Sequence, residues 1–313
     1  MKVGLQFHSF TWPGGPNTIA SNLARSVRAA DDAGFDSLWV MDHFWQVGGP
    51  DAELEPMLEG FTALGFMAAH SRRARLGLMV GGVHHRAPGL WAKAVTTLDV
   101  LSGGRAWLGL GAGWNQAESE GLGIGFPPIG DRFGMLEETL QIVRAMWEGE
   151  RGSEASFTGR HYRASRLLNA PQSISRPRVP ILIGGRGERR TLRLVARYAD
   201  ASNIIADPPE LRAKHAVLAD HCRAVGRDFT EIERTTFQGI GLGGPSAFAP
   251  QVDSPDQIVD RLGRLAEAGA QHVIVGFRRT DDPGLIEQLA TRILPQLRAI
   301  QPAAPSQFLG VAA

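Results

Sequence analysis

The segment from Pro180 to Ala199, PILIGGRGERRTLRLVARYA, contains one complete strand, turn and helix. An apolar run, Ile181 to Ile183, precedes a glycine-rich turn, and Leu192, Val195 and Ala199 then recur at helical spacing. A short apolar run followed by such a helix is the repeating unit of a parallel sheet with helical crossovers. The segment therefore predicts one βα unit of an α/β protein.

The same unit recurs along the whole 313-residue chain. Eight such units alternate strictly along the chain, and eight parallel strands close into a barrel. The sequence therefore predicts an α/β fold of the (β/α)8 TIM-barrel type. A doubly wound open sheet is the alternative. The eight predicted strands are Val3 to Phe7, Leu38 to Met41, Leu76 to Val80, Trp107 to Leu110, Pro180 to Ile183, Ser202 to Ile205, Glu233 to Gln238 and His272 to Val275.

A single barrel domain is predicted for residues 1–300. Residues 150–178 break the alternation with Gly, Ser, Pro and isolated aromatic residues, which predicts an insertion with a short hairpin between the fourth helix and the fifth strand. The Ala- and Pro-rich residues 301–313 predict a loosely ordered C-terminal tail.

Composition excludes several classes of function. With 33 Lys and Arg against 32 Asp and Glu, the net charge of +1 supplies no broad basic field for nucleic acid or a membrane surface. The single cysteine, Cys222, excludes a disulfide scaffold, and its place on a helical apolar stripe predicts a packed core thiol. No apolar run approaches the roughly 18 residues of a membrane span, and the chain enters its first strand at once. We therefore expect a soluble, cytoplasmic protein.

Active sites of such barrels lie at the carboxyl ends of the strands. These ends are rich in glycine and aromatic residues and poor in carboxylates, which favours a large planar ligand over hydrolysis by paired acids. Adjacent His84 and His85 point apart in extended chain, and no metal-ligand spacing occurs, so no metal is expected.

Asp42 and His43 follow the second strand directly. A histidine there is predicted to donate or accept a proton, with Asp42 accepting hydrogen bonds. The alternative is a loop pair in which Asp42 caps a turn.

The segment from Gly184 to Glu188, GGRGE, lies between the fifth strand and its helix. Glycines let backbone N–H groups turn toward an anion, and a helix N-terminus favours negative charge, so the segment predicts a phosphate site. It is not a Walker A loop, because no Gly-Lys-Ser/Thr follows. The alternative is a tight strand-to-helix turn.

Gly109, Gly111 and Gly113 have a spacing that differs from the dinucleotide-binding fingerprint. We expect them to give a flat ligand room, with Trp114 and Asn115 at the rim.

Four motifs occur in order: Leu38 to Phe44, Arg86 to Arg105, Gly109 to Asn115 and Ile183 to Asp200. Together they resemble the luciferase-like monooxygenase superfamily, specifically its coenzyme F420-dependent oxidoreductase branch. The resemblance implies hydride transfer between F420, a deazaflavin, and an unidentified organic substrate. An FMN-dependent monooxygenase is the alternative in the same fold, and a non-catalytic flavin- or deazaflavin-binding barrel is the alternative from another class.

The resemblance also implies roles for residues. It makes His43 the catalytic residue, directs the cofactor phosphate to the segment from Gly184 to Gly187, and sets a bulge after the third strand against the back of the ring. A non-proline cis peptide is expected at Met79–Val80 or next to it. The predicted cofactor-binding residues are Asp42, Met79, Val80, Gly81, Gly82, Trp114, Asn115, Gly184, Gly185, Arg186, Gly187 and Glu188.

The chain departs from the family pattern in three places. His85 to Pro88 replaces a common Tyr-Arg-His-Pro, and Gln116 stands where Glu is common. The catalytic Glu of the family's sugar-phosphate dehydrogenase falls at about Trp114. We therefore expect that the chain is not that dehydrogenase and that His43 alone donates the proton.

Family barrels commonly pair through helices beside the second and third strands. The second helix carries Phe61, Leu64, Phe66 and Met67 on more than one face, and an apolar second face must be buried somewhere. A homodimer is therefore expected, with a small-molecule substrate as the other partner.

Overall fold

Eight parallel strands close into a barrel in the computed structural model, which describes residues 1–48 and 51–309. Each strand pairs with its neighbours, and the last returns to the first with Lys2 opposite His272. The predicted TIM barrel is confirmed, and the open-sheet alternative is wrong. The strands are β1 (Lys2–Phe7), β2 (Ser37–Val40), β3 (Arg75–Leu78), β4 (Ala106–Gly111), β5 (Ile181–Gly184), β6 (Ala201–Asn203), β7 (Glu233–Gly239) and β8 (His272–Gly276).

Helices surround the barrel. Pro88 begins α3, where a first helical turn requires no N–H, and Gly103 ends it in the left-handed conformation with φ of 72°. A π-helical turn, Leu289–Ile293, joins the last two helices. The helices are α1 (Pro16–Asp32), α2 (Gly60–His70), α3 (Pro88–Ser102), α4 (Gln116–Gly121), α5 (Ile129–Met146), α6 (Thr191–Tyr198), α7 (Pro208–Ala224), α8 (Pro255–Glu267), α9 (Pro283–Gln288) and α10 (Leu294–Ala299).

Side chains fill the barrel interior. The strands are buried on both faces, since alternate residues point to the helices or to the barrel axis. Trp39 and Trp107 meet edge to face across the interior, with ring centroids 6.1 Å apart. The interior cluster consists of Trp39, Met79, Trp107, Leu182, Ala201, Phe237 and Ile274. Because this cluster is a packed core, a ligand must bind above it, at the carboxyl ends.

A chain of hydrogen bonds spans the amino end of the barrel. The Trp39 indole N–H donates to Ser37 Oγ at 2.6 Å, and Ser37 Oγ lies 2.9 Å from His272 Nε2. His272 Nδ1 lies 3.1 Å from Glu233 Oε1. Burial alone would raise the pKa of Glu233, but His272 and Lys2 outweigh it and lower that pKa to about 2. The network therefore holds an ionised carboxylate at neutral pH.

The insertion contains the predicted hairpin, in which Phe157–Thr158 pairs antiparallel with Arg163–Ala164. Part of the tail predicted to be loosely ordered is held against the barrel, because Phe308 is buried over His215. Residues 310–313 lie outside the described part of the chain. Cys222 is buried, as predicted, and burial raises the pKa of its thiol to about 11.

None of the helices in the described part of the chain combines the length and the apolar character that crossing a membrane requires.

Candidate active site

A cleft of about 760 Å3 opens at the carboxyl ends of the strands. This volume lies in the range of small-molecule and cofactor sites. Glu188 is outside the cleft lining, because its carboxylate is turned toward Lys214, with 2.7 Å between Oε1 and Nζ. The other predicted site residues all line the cleft: Asp42, His43, Met79, Val80, Gly81, Gly82, Trp114, Asn115, Gly184, Gly185, Arg186 and Gly187.

His43 is held from behind by a buried carboxylate. Its Nδ1 lies 2.9 Å from Glu118 Oε2, and the Glu118 side chain is fully buried. Glu118 Oε1 also accepts the backbone N–H groups of Phe44 at 2.6 Å and Trp45 at 2.8 Å. The His43 side chain is 16% exposed, so Nε2 is the ring nitrogen left for a ligand in the cleft.

Glu118 is the functional residue that the sequence reasoning missed. Burial alone would raise its pKa, but hydrogen bonds from His43 and the two N–H groups lower that pKa below its ordinary value. A charged carboxylate therefore accompanies His43, and the expectation that His43 alone donates the proton stays a prediction.

Helix α4 explains how Glu118 reaches this position. Asn115 caps the helix by accepting the Glu118 N–H at 3.2 Å, so Glu118 is the third residue of the helix. A glutamate at this position ordinarily turns back to the capping residue. Here it turns to the loop after β2 instead. The Asn-x-x-Glu spacing was the signal available in the sequence.

Asp42 forms the centre of a buried ion-pair cluster. Its two carboxylate oxygens accept the guanidinium N–H groups of Arg86, each at 2.8 Å, and His85 Nδ1 lies 3.1 Å from Oδ2. Arg86 also donates to Glu59 at 2.6 Å. Burial would lower the pKa of Arg86, but the two carboxylates raise it. Asp42 accepts hydrogen bonds, as predicted, and the arrangement fixes the cleft wall beside His43.

A bulge after β3 forms the floor of the cleft. The Met79–Val80 peptide bond is cis, which confirms the prediction at that bond. The chain then resumes pairing at Gly81–Gly82, which lies beside Leu110 and Gly111 of β4. The bulge therefore presents both side chains at the point where the sheet is interrupted.

The glycines of β4 accommodate this bulge. A Cβ at Gly109 would lie 1.9 Å from the Leu78 carbonyl oxygen, and one at Gly111 would lie 3.0 Å from Val80 Cγ2. A Cβ at Gly113 would lie 2.3 Å from His84. The expectation that these glycines make room for a flat ligand is corrected, because protein atoms occupy that room.

The turn after β5 has the properties of an anion cradle. Gly185 has φ of +129°, a conformation that L side chains rarely adopt. The backbone N–H groups of Arg186 and Gly187 donate no hydrogen bond within the described residues, and α6 begins at Thr191 without a side-chain cap. The Arg186 guanidinium lies 3.3 Å from Glu210. Unused N–H groups at a helix start fit a phosphate.

The remaining cleft wall is mostly apolar. Trp114 is 66% exposed at the rim, as predicted, and its ring meets that of His43 edge to face at 5.2 Å. Ile129, Phe133 and Leu136 of α5 contribute the side next to the anion cradle. An apolar wall between a polar pair and an anion site suits a planar ring carrying a phosphorylated chain.

His84 and His85 belong to the scaffold of the site. His84 Nε2 lies 2.9 Å from Ser119 Oγ, and burial, followed by the charges of His85 and Arg132, lowers the pKa of His84 to about 4. The described residues contain no group of three or more His, Cys, Asp or Glu side chains placed to hold a metal ion.

The fold and the cleft define a (β/α)8 barrel with a cofactor-sized cleft above the bulge after β3. Residues 1–240 match the model of the luciferase-like monooxygenase family, and the chain belongs to that family. The predicted resemblance is confirmed.

Several proteins of known activity are similar to this chain. The chain is 35% identical to the F420-dependent glucose-6-phosphate dehydrogenase of Nakamurella multipartita, in an alignment that covers 90% of this chain and 93% of that protein. An F420-dependent secondary alcohol dehydrogenase, solved with an F420–acetone adduct, superposes with a TM-score of 0.79 at 18% identity, covering 95% of this chain and 99% of that one. The solved structure of the EDTA monooxygenase of Chelativorans superposes with a TM-score of 0.79 at 16% identity, covering 99% of this chain and 98% of that one. At 18% and 16% identity, these two solved structures support the fold assignment and nothing more.

Proposed function

We propose that this chain is an oxidoreductase that transfers a hydride between coenzyme F420 and a small organic substrate. One observation carries the proposal: His43 faces the cleft with its other ring nitrogen fixed by Glu118 at 2.9 Å. A positioned imidazole next to a cofactor-sized cleft suits an oxidoreductase that moves a proton together with the hydride. Membership of the family and the F420-dependent relative support the choice of cofactor.

The residues present fit the cofactor. The segment from Gly184 to Gly187 would hold the phosphate through backbone N–H groups, and the apolar wall from α5 would contact the ring. Met79 and Val80 would support the ring from below. When bound, F420 supplies the carbon that accepts or donates the hydride, while the protein supplies orientation and proton handling.

Proton transfer is assigned to His43. With Nδ1 engaged by Glu118, Nε2 removes a proton from a substrate hydroxyl during oxidation or returns it during reduction. Glu118 does not reach the cleft as a free acid, because its oxygens are occupied by His43, Phe44 and Trp45. Glu118 is therefore a positioning residue that selects the tautomer of His43.

An FMN-dependent monooxygenase is the second candidate, because the family model that the chain matches is that of the luciferase-like monooxygenases. The two candidates differ in one requirement. An oxygenase consumes O2, whereas hydride transfer to or from F420 proceeds without it. The non-catalytic alternative is disfavoured because a histidine–glutamate pair that only bound a cofactor would need no open nitrogen in the cleft.

A direct test uses the purified protein with F420 under anaerobic conditions. Oxidised F420 is mixed with a panel of alcohols, and reduced F420 with the matching carbonyl compounds, while the absorbance of the oxidised cofactor is followed. Turnover that His43→Ala abolishes supports the proposal. Product formation that requires FMN and O2 supports the second candidate and overturns the first.

We further propose a cytoplasmic homodimer. Helices α2 and α3 leave apolar side chains outward, since Phe66 is only half-buried, and Leu90 and Leu101 are 56% and 73% exposed. Burying these side chains against a second copy would remove apolar surface from water.

A further inference from the structure

A second histidine, His85, reaches the cleft from the loop after β3. It lines the cleft, whereas the neighbouring His84 is turned to Ser119, with 2.9 Å between Nε2 and Oγ. His85 Nδ1 lies 3.1 Å from Asp42 Oδ2, and the His85 side chain is 6% exposed. Its Nε2 has no hydrogen-bond partner within residues 1–48 and 51–309, and it stays accessible, whereas His84 Nδ1 is sealed off. His85 is therefore part of the scaffold and also has one ring nitrogen left for a ligand.

Asp42 determines which ring nitrogen of His85 carries the proton. The Asp42 carboxylate pairs with the Arg86 guanidinium through two hydrogen bonds of 2.8 Å, so toward His85 it acts as an acceptor. Nδ1 of His85 is then the donor, and Nε2 of the neutral imidazole is a hydrogen-bond acceptor. Because the Asp42 side chain is only 1% exposed, it is placed to act on a ligand through His85.

Gly82 makes room for this acceptor at the floor of the cleft. The residue lines the cleft and pairs with Gly111 just after the bulge. A Cβ at Gly82 would lie 2.9 Å from both Cε1 and Nε2 of His85. The imidazole therefore fills the space that a side chain at this position would take, and its Nε2 lies beside the short strand that follows Met79–Val80.

His43 and His85 present the same nitrogen to different parts of the cleft. Each has Nδ1 held by a buried carboxylate, so each leaves Nε2 for a ligand. The His43 ring meets that of Trp114 at the rim, with centroids 5.2 Å apart. The His85 ring lies beside Phe44, with centroids 5.0 Å apart, and against Gly82 at the floor. A substrate that enters past the rim meets His43, and a ring that lies on the floor meets His85.

We propose that His85 is a further cofactor-binding residue, whose Nε2 accepts a hydrogen bond from the ring of the cofactor. The oxidised rings of F420 and FMN share a single N–H group, the imide N–H between two carbonyl groups. An acceptor requires a donor, so this imide N–H is the partner of Nε2. The contact fixes how the ring is turned on the cleft floor, and thus which carbon faces His43. The inference rests on the proposed function in one respect, that a cofactor with such a ring occupies the cleft.

The test compares ligands that differ at one group. Cofactor-free protein is titrated with F420, with its phosphate-free deazariboflavin core, and with that core methylated at the imide nitrogen, and fluorescence gives each dissociation constant. The wild type should bind the methylated core about 3- to 10-fold more weakly than the core, because one neutral hydrogen bond is lost. This comparison needs no variant, so it holds whether or not a substitution at His85 disturbs the fold.

Variants assign the effect to His85. His85→Ala should weaken the binding of F420 and of the core by the same factor of about 3 to 10, and should bind the core and the methylated core within about twofold of each other. Gly185→Val should weaken the binding of F420 alone, because the core has no phosphate. His85→Gln, which keeps a polar atom at the reach of Nε2, should recover part of the affinity.

His70→Ala is the matched control. His70 is also partly buried with one ring nitrogen engaged, since its Nδ1 lies 2.9 Å from Arg28 Nη1. It lies at the end of α2, outside the cleft lining. The three dissociation constants should therefore be those of the wild type.

Equal binding of the core and the methylated core by the wild type overturns the assignment of His85, and so does a methylation effect that persists in His85→Ala. If F420 and its core do not bind while FMN and riboflavin do, the proposed cofactor is contradicted. The same comparison with riboflavin and its imide-methylated form then decides the role of His85. Binding of none of these rings overturns both the proposed function and the role of His85.

Discussion

His43 Nδ1 and Glu118 Oε2 lie 2.9 Å apart, and this contact joins the loop after β2 to the first turn of α4. The same carboxylate also binds the two backbone N–H groups that follow His43. One buried side chain therefore sets both the path of the loop and the orientation of the imidazole.

Replacing His43 removes the group assigned to proton transfer. We expect His43→Ala to lower turnover by about 10² to 10⁴ while the Kd for F420 changes by less than about tenfold. Steady-state kinetics and fluorescence titration measure the two effects. His161→Ala, in the insertion, is the control; unchanged turnover in His43→Ala would leave Asp42 and His43 as a structural loop pair.

Replacing Glu118 tests its positioning role. Glu118→Gln keeps the shape but removes the charge that orients His43, so we expect turnover to fall about 10- to 100-fold with little change in the Kd for F420. Glu120→Gln is the matched control, because Glu120 lies on the same helix, is exposed and accepts a hydrogen bond from Gln116 at 2.7 Å.

A structural role alone would change the melting temperature and not the chemistry. If Glu118→Gln lowers the melting temperature but leaves kcat at the wild-type value, its assigned role is incorrect. Glu118→Asp, which keeps the charge on a shorter side chain, should recover part of the lost turnover.

Replacing Gly185 tests whether the turn after β5 binds a phosphate or is a structural turn alone. Gly185→Val should weaken F420 binding by about tenfold or more, because the new side chain alters the backbone at the N–H groups of Arg186 and Gly187. Gly244→Val is the control for strain, since Gly244 has φ of +124° with open space around it. Arg186→Ala should have a smaller, salt-dependent effect.

Both glycine variants are expected to lose similar stability, and only Gly185→Val to lose affinity. If Gly185→Val unfolds the protein and Arg186→Ala changes nothing, the turn after β5 is structural.

Acid sensitivity should arise partly at the amino end of the barrel. The pKa of Glu233 is lowered from 4.5 to about 2 in the folded protein, so its ionised form stabilises the fold above about pH 4.5. That stability is lost as pH falls from 4.5 toward 2. Urea unfolding across this range should show a weaker pH dependence in Glu233→Gln than in the wild type.

Glu231→Gln provides the comparison, because Glu231 lies at the surface and pairs with Arg227 at 3.1 Å. Its pH dependence should match the wild type. Identical acid profiles for Glu233→Gln and the wild type would mean that the network at the barrel's amino end adds no acid-labile stability.

Assembly is tested at the apolar face of α2 and α3. We expect light scattering at micromolar concentration to give the mass of a dimer, and Leu101→Glu to shift it toward a monomer, because a charge would be buried in the contact. A monomeric mass for the wild type would contradict this arrangement.

Local patterns explain why the fold could be predicted. Each βα unit can be recognised within about 30 residues by an apolar run, a turn and a helical period. Eight such units imply a closed barrel. The strand ends then identify the cleft, which is why residues such as His43 and Gly185 were placed correctly.

The parts of the site that the sequence did not predict depend on contacts between segments that are distant in the chain. Asp42 and Arg86 are 44 residues apart, and His43 and Glu118 are 75 apart, so no local pattern records either pair. Gly109 was misread for the same reason, since the atom that requires its missing side chain is the Leu78 carbonyl oxygen on a neighbouring strand.

A single titration shows whether the cleft binds a deazaflavin. Cofactor-free protein is titrated with F420 and, separately, with FMN, and fluorescence quenching gives the two dissociation constants. We expect saturable F420 binding at least about tenfold tighter than FMN binding, and loss of that preference in Gly185→Val. FMN binding as tight as F420 binding, or no saturable F420 binding, would contradict it.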